Sequence, residues 1–248
     1  MQSWPQGVQS RVFETIDSTM AEAARVAPDL TGPTWIFSHE QTAGRGRRGR
    51  DWVQPNGNFS ATLVWQPAGD VDNRALRSFV AALALREAFV AATGREIGFA
   101  LKWPNDVLLN GGKVAGILLE SIGDNLAVGI GVNLVAAPPL DQVEAGAVPP
   151  VSLLSEIGFK VEPQEFLTQL AAAFARFELQ FTTYGFAPIR AAWLEHAARL
   201  GEVITAKTIQ SEITGTFQTV DEQGLLVLKA ADGIHRIAAA DVFFDTAR

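Results

Sequence analysis

Polar and apolar positions alternate through residues 11–16, where Val12, Phe13 and Ile16 mark a strand. Asp17-Ser18-Thr19 follows as a helix start, with Glu22 positioned to close a capping box on Thr19, and Pro28 ends the Ala-rich helix. Strands are predicted over residues 34–40 and 59–66. Between them, residues 41–58 carry four glycines, a proline and four arginines without an apolar period. Compact domains keep loops of that length mainly for function. Leu76, Phe79, Val80, Leu83 and Phe89 recur at helical spacing within residues 73–93, and Gly94 supplies the stop. A strand over 98–103 precedes a hairpin, 107–109 and 113–120, that turns on Asn110-Gly111. A buried strand over 125–134, a Pro/Gly/acid loop over 136–150 and helices over 152–157, 163–184 and 186–200 complete this part.

The pattern changes near Arg199. Short alternating strands are predicted over 203–209, 212–220, 225–228, 234–238 and 242–244, separated by Asp221, Gly224 and Asp232-Gly233. Five strands at this spacing suggest a small barrel. About 50 residues is little for independent stability, so the barrel is expected to pack on the larger unit. The division is therefore 1–198 and 199–248.

Composition narrows the function. Hydrophobic residues make up 48% and charged residues 19%, enough for a real core. A net charge of −7 disfavours dedicated binding to DNA or to a membrane surface. There is no cysteine, which excludes disulfides, thiol catalysis and Cys-ligated zinc, and His39, His196 and His235 lie far apart, so no metal site is expected. The N-terminus lacks a basic region followed by an apolar run, and no apolar stretch approaches the roughly 20 residues that span a bilayer. The expected location is the cytoplasm.

Against that acidic background, Gln41-Thr42-Ala43-Gly44-Arg45-Gly46-Arg47-Arg48-Gly49-Arg50 concentrates four arginines in six positions. A polyanion would relieve their repulsion through charge-assisted hydrogen bonds, and the glycines allow close backbone approach. The plainer readings are a solvated loop or an RNA-contacting patch. Gly44, Gly46 and Gly49 match G-x-G-x-x-G, but Asp51-Trp52-Val53-Gln54-Pro55 cannot open the helix that a dinucleotide fingerprint requires. Gly112-Lys113 is no P-loop either, since Val114 replaces the Ser/Thr. The second candidate is Lys102-Trp103-Pro104-Asn105-Asp106, a rigid polar turn, followed by Lys113 on the returning hairpin strand and by Gly116, where a ligand or another backbone can come close. Read plainly, Asn105-Asp106 is an Asx-type turn and Lys113 a solvated edge residue. Asp17-Ser18-Thr19 alone is a helix cap. Asn133, closing Gly129-Ile130-Gly131-Val132-Asn133, either reads a base or ribose or satisfies backbone groups.

Taken together and in this order, these motifs resemble the biotin protein ligase family, over roughly residues 10–245. The resemblance implies an α+β fold, with a mixed β-sheet and flanking helices in the catalytic domain and an SH3-like C-terminal barrel. It implies the biotin–[acetyl-CoA-carboxylase] ligase reaction with ATP, biotin and Mg²⁺: biotin's carboxylate attacks the α-phosphate of ATP, and a lysine of a biotin carboxyl carrier domain then takes the biotin from biotinyl-5′-AMP. By position, Ser18, Thr19 and Gln41 would hold the ureido head, while Arg45, Gly46, Arg47 and Gly116 would line biotin. Lys113 and Arg47 would act at the carboxylate and α-phosphate. Arg48, Arg50, Trp52, Lys102, Asn105, Asp106 and Asn133 would serve the nucleotide. The arginine loop is expected to stay mobile until ligand binds. Two departures stand out. Met20 occupies a place where many members have Asn, and a thioether cannot replace an amide's hydrogen bonds. Only about ten residues precede the first strand, too few for the helix-turn-helix of the repressor members. A lipoate-type ligase, an RNA- or phosphate-binding module and a degenerate scaffold remain alternatives, and a homodimer is consistent with the family and with exposed strand edges.

Overall fold

The computed structural model describes residues 3–69, 73–144, 146–208 and 210–244. Strand β1 (Gln9–Ile16) runs into helix α1 (Thr19–Val26) and returns as β2 (Thr34–Gln41), parallel to β1. The chain continues through β3 (Phe59–Trp65), α2 (Arg77–Thr93), β4 (Phe99–Lys102), β5 (Asp106–Leu109), β6 (Gly112–Ile122) and β7 (Asn125–Val132). These strands form one mixed sheet in the order β1-β2-β3-β7-β6-β5-β4, antiparallel beyond the first pair.

The two-residue strand period divides this sheet into unlike faces. Phe59, Ala61, Leu63 and Trp65 of β3, with Val128, Ile130 and Val132 of β7, are buried in the main core. Helix α2 and helix α4 (Pro163–Tyr184) cover that face, with Phe174 set edge-on to both Trp35 and Trp65. Arg77 of α2, 1% exposed, is held there by Glu178 of α4 at 2.9 Å and by the Phe181 ring. Burial pushes the Glu178 carboxyl up, and Arg77 opposes that. On the other face only α1 packs down, through Met20, Ala23 and Val26 against Ile36, Val64 and Ala127. No other helix covers that face among the described residues.

Helices α3 (Leu153–Ile157) and α5 (Phe186–Glu195) precede a second sheet of β8 (Val203–Lys207), β9 (Glu212–Val220), β10 (Leu226–Ala230), β11 (Gly233–Ile237) and β12 (Asp241–Phe243), antiparallel and ordered β11-β10-β9-β8-β12. The small sheet does pack on the larger unit: Phe217, Leu226, Leu228 and Val242 join the main core, and the Trp103 indole N–H donates to Gly224 O at 3.1 Å.

Several local expectations shift. The cap of α1 is Ser18 rather than Thr19: Ser18 is extended and its hydroxyl accepts from Ala21 N–H, while Thr19 is already helical. Glu22 closes no capping box and pairs with Arg25. Helix α2 starts at Arg77, not 73, and α5 ends at Glu195, not 200. The proposed end of β8 at Ile209 lies outside the described residues. The Asn110-Gly111 turn has both φ values positive, 50° and 87°, as a two-residue hairpin of primed type requires.

Candidate active site

The uncovered sheet face is floored by glycine. Gly116 of β6 and Gly131 of β7 are register partners, and Gly129 lies two residues before Gly131 on β7. A Cβ at 131 would lie within 2.6 Å of three ring atoms of Trp52, and one at 129 would lie 2.8 Å from Met20 Cε. The missing side chains let Trp52 and Met20 lie on the strands. They wall a cleft of about 590 Å³, within the size range of small-molecule sites.

One end of the cleft is neutral. Gln41 Oε1 accepts from Thr19 N–H at 2.7 Å and from the Thr19 hydroxyl at 3.0 Å, and the Thr62 hydroxyl donates to Thr19 Oγ1 at 2.9 Å. Ser18 and Ser60 complete this end. Asp17, just outside, braces the start of α1: it accepts from Ser18 N–H and takes a bidentate Arg25. Arg25 and the Ser18 amide together hold its carboxyl well below the usual carboxylate range.

The other end is charged, with Arg45, Arg47, Arg50, Lys102 and Lys113 interleaved with Asp51, Asp106, Glu144 and Asp241. A register shift between β5 and β6 sets Lys113 opposite Leu108 and Ala115 opposite Val107. Such a bulge re-aims side chains, and Lys113 reaches back over Gly116, its Nζ 3.3 Å from where a Cβ there would lie. The ammonium meets Asp106 Oδ1 at 2.8 Å, and Lys102 approaches Asp106 Oδ2 at 3.7 Å. Burial alone would raise the Asp106 carboxyl, but Lys113 and then Lys102 hold it below its ordinary value. Burial pushes Lys102 down, and the more distant Asp106 offsets only part of that. Arg47 donates to Asn105 Oδ1 at 3.1 Å, tying the arginine loop to the Trp-Pro-Asn-Asp turn. Burial lowers the Arg47 guanidinium, Asp241 and Asp106 opposing it. Asn133 donates to Val151 O at 3.1 Å and leaves its buried Oδ1 unpartnered.

Residues 44–52 fold as a finger, with Trp52 N–H bonded to Gly44 O and Gly46 N–H bonded to Arg50 O, so that the backbones of Arg45 and Asp51 face each other as an antiparallel bridge. Arg48 and Gly49 at its tip have φ of 56° and 73°. The repulsion anticipated among the arginines is relieved by carboxylates that arrive from elsewhere. Asp241 of β12 binds both Arg48 and Arg50, Glu144 binds Arg50 at 3.0 Å, and Glu120 lies 3.5 Å from Arg45.

Of the fifteen residues singled out from the sequence, all but Arg48 line this one cleft. Arg48 is instead bound to Asp241, which does border the cleft. Ser60 and Thr62 carry no motif in the sequence reading, although their alternation with Phe59, Ala61 and Leu63 signals a polar face. Gly129 and Gly131 enter it only as parts of the motif that Asn133 closes. Residues 240–243 also border the cleft, as do Pro138, Glu144, Val148 and Pro150, without any local signal. Among the described residues, no three His, Cys, Asp or Glu side chains form a metal-binding group, and no helix is long and apolar enough to cross a membrane.

Residues 12–135 match the biotin/lipoate A/B protein ligase family, and residues 200–245 match the biotin protein ligase C terminal domain. A biotin–[acetyl-CoA-carboxylase] ligase of Paracoccus denitrificans is 57% identical over 92% of this chain and 97% of its own length. The bifunctional ligase/repressor BirA of Escherichia coli is 29% identical over 90% of this chain and 70% of its own. The solved biotin protein ligase of Aquifex aeolicus in complex with biotin and ATP superposes with a TM-score of 0.83 at 25% identity, covering 94% of this chain and 97% of that one. With both domain matches in chain order and a relative this similar along nearly its whole length, the chain belongs to the biotin protein ligase family.

Proposed function

We infer that the chain is an ATP-dependent biotin protein ligase, forming biotinyl-5′-AMP and transferring biotin to a lysine of a biotin carboxyl carrier domain. One observation carries the reading. A single cleft has a neutral hydrogen-bonding end and a charged end that gathers five cations, joined by a glycine floor under Trp52. Biotin has the complementary form, a neutral urea head and an apolar tail ending in a carboxylate that must meet a phosphate. The same form argues against the RNA-binding alternative, which needs no neutral end.

In the first step a carboxylate oxygen of biotin forms a bond to the α-phosphorus of ATP as the bond to pyrophosphate breaks. In the second, the carrier lysine forms an amide with the biotin carbonyl and AMP leaves. Neither step needs a covalent enzyme intermediate. Positioning and charge neutralisation supply the rate. Ser18, Thr19 and Gln41 are assigned to the urea, and Arg45, Gly46, Arg47 and Gly116 to the tail and the activated carboxylate. Lys113 and Arg47 are assigned to the charge that builds on the α-phosphate. Arg50, Trp52, Lys102, Asn105, Asp106 and Asn133 are assigned to the nucleotide side, whereas Arg48, expected there from the sequence, lies outside the cleft lining and is paired with Asp241. Asp106, already engaged by two lysines, is poorly suited to a dedicated metal cage. Mg²⁺ therefore belongs to the proposal as an ion carried on the triphosphate, where it adds further neutralisation.

The boundary at 198/199, a homodimer, a cytoplasmic location and the absence of DNA binding are parts of the same proposal. The two domain matches support the boundary, the exposed Val12 on the outer strand β1 supports pairing of two copies, and the net charge of −7 opposes DNA. The test is incubation with ATP, Mg²⁺, biotin and a biotin carboxyl carrier domain, with the carrier probed by streptavidin. Labelling that needs ATP and the carrier's target lysine supports the reading. An unlabelled carrier contradicts it.

A further inference from the structure

The hydroxyls at the neutral end are not equally free. The Thr62 proton is given to Thr19 Oγ1, the Thr19 proton goes to Gln41 Oε1, and that oxygen also takes Thr19 N–H. This relay is closed, and neither threonine has a proton left for a ligand. Ser18 Oγ accepts from Ala21 N–H and keeps its own proton. Ser60 stands apart from all of these. It is 2% exposed, borders the cleft, and its Oγ has no partner. Buried hydroxyls are rarely left so.

Its place in the sheet shows what it faces. Ser60 is the register partner of Gly131, over which the Trp52 ring lies, and Thr62 is the partner of Gly129, over which Met20 lies. Met20, 3% exposed, offers a thioether with no proton to donate. On the other side Ser60 is paired with Ser38, whose own proton goes to Glu40 O, so among the described hydroxyls of this strand Ser60 is left with an uncommitted proton beside the Trp52 ring.

We propose that Ser60 is a specificity-determining residue, donating a hydrogen bond to the urea head of biotin and disfavouring acids whose heads cannot accept one, such as the dithiolane of lipoate. The proposal rests on the biotin ligase reading. A site built to hydrogen-bond one ligand rejects an analogue that leaves its buried polar group unpaired.

The test is ATP–pyrophosphate exchange by the full-length protein and by its Ser60→Ala and Ser60→Cys variants, with biotin and with lipoate. Loss of one neutral hydrogen bond raises the biotin KM of Ser60→Ala about tenfold, leaving kcat and the KM for ATP unchanged. Ser60→Cys, with a weaker donor of similar shape, falls between. The preference for biotin over lipoate shrinks in the same order, while the melting temperature holds, because the folded protein loses no internal partner. A merely structural serine would not move the biotin KM alone. Wild-type exchange with biotin together with an unchanged biotin KM in both variants overturns the role of Ser60 and leaves the ligase reading intact. No exchange by the wild type overturns both.

Discussion

Gly131→Ala is the substitution that the geometry of the cleft constrains most tightly. The new methyl would stand within 2.6 Å of three atoms of the Trp52 ring, closer than van der Waals contact allows. Strand β7 cannot retreat, because it is paired with β3 on one side, Ser60 facing Gly131, and with β6 on the other, Gly116 facing Gly131. The ring must move instead. It rides on a finger held mainly by the Trp52–Gly44 and Gly46–Arg50 backbone bonds and by surface ion pairs, so the finger lifts as a unit. Overpacking a rigid core costs roughly 1–3 kcal/mol. With the soft side yielding, the cost falls near the lower bound, a drop in melting temperature of about 2–4 °C for a chain of this size. Function suffers more, since displacement of a positioning group by about 1 Å costs on the order of 100-fold in rate. Pyrophosphate exchange should fall by about that factor, and a thermal melt should show the protein folded. The causal link is checked by Trp52→Ala: the double variant should be no worse than Trp52→Ala alone, because the clash is gone. Wild-type exchange by Gly131→Ala, or a double variant whose losses simply add, would refute the reasoning. Gly116→Ala is the control, since its methyl would meet Trp52 and Lys113 at 3.3 Å, and a loss of only a few-fold is expected.

Lys113→Ala should abolish adenylation while circular dichroism stays native. Because Lys113 and Lys102 hold the buried Asp106 carboxyl down, its contribution to stability is present above the ordinary carboxylate pKa and is lost as pH falls through the folded value. Removing Lys113 should flatten that acid limb in melts recorded against pH, and an unchanged limb would show the ion pair to be unimportant. Asp241→Asn removes the carboxylate shared by Arg48 and Arg50, so trypsin should cut within residues 45–50 several-fold faster in the absence of ligand, with biotin plus ATP restoring protection; equal cutting with and without the substitution would show that other contacts hold the finger. Arg77→Ala leaves Glu178 buried without its cation and should cost about 3–5 kcal/mol by urea denaturation. A loss below about 1 kcal/mol would mean that water or Glu178 itself relaxes to compensate.

Local chemistry was readable from the sequence wherever one segment contained the whole signal. The apolar period and flanking prolines and glycines delimit α4 at Pro163 and Tyr184, and the Asn110-Gly111 turn sets the β5–β6 hairpin. The motif residues converge because each lies at the end of a strand or on the finger, where a sheet brings distant segments together. What depends on strand order was not readable. Nothing local says that β7 inserts between β3 and β6, so the pairing of Ser60 with Gly131, and the floor it creates, appears only in the folded sheet. The carboxylates that quiet the arginines come from β6, the 138–150 loop and β12, and Asp241 is 193 residues from Arg48. The cap of α1 was misplaced by one residue because Ser18 and Thr19 are both good caps, and only the backbone, extended at Ser18, decides between them.

The most direct test of the central claim is ATP–pyrophosphate exchange by the purified protein with Mg²⁺, comparing biotin, lipoate and no acid. Exchange with biotin and none with the other two is the predicted result, since only biotin presents an acceptor to the neutral end and a carboxylate to Lys113 and Arg47. Exchange with lipoate alone, or with neither acid, would contradict the assignment of this cleft to biotin adenylation.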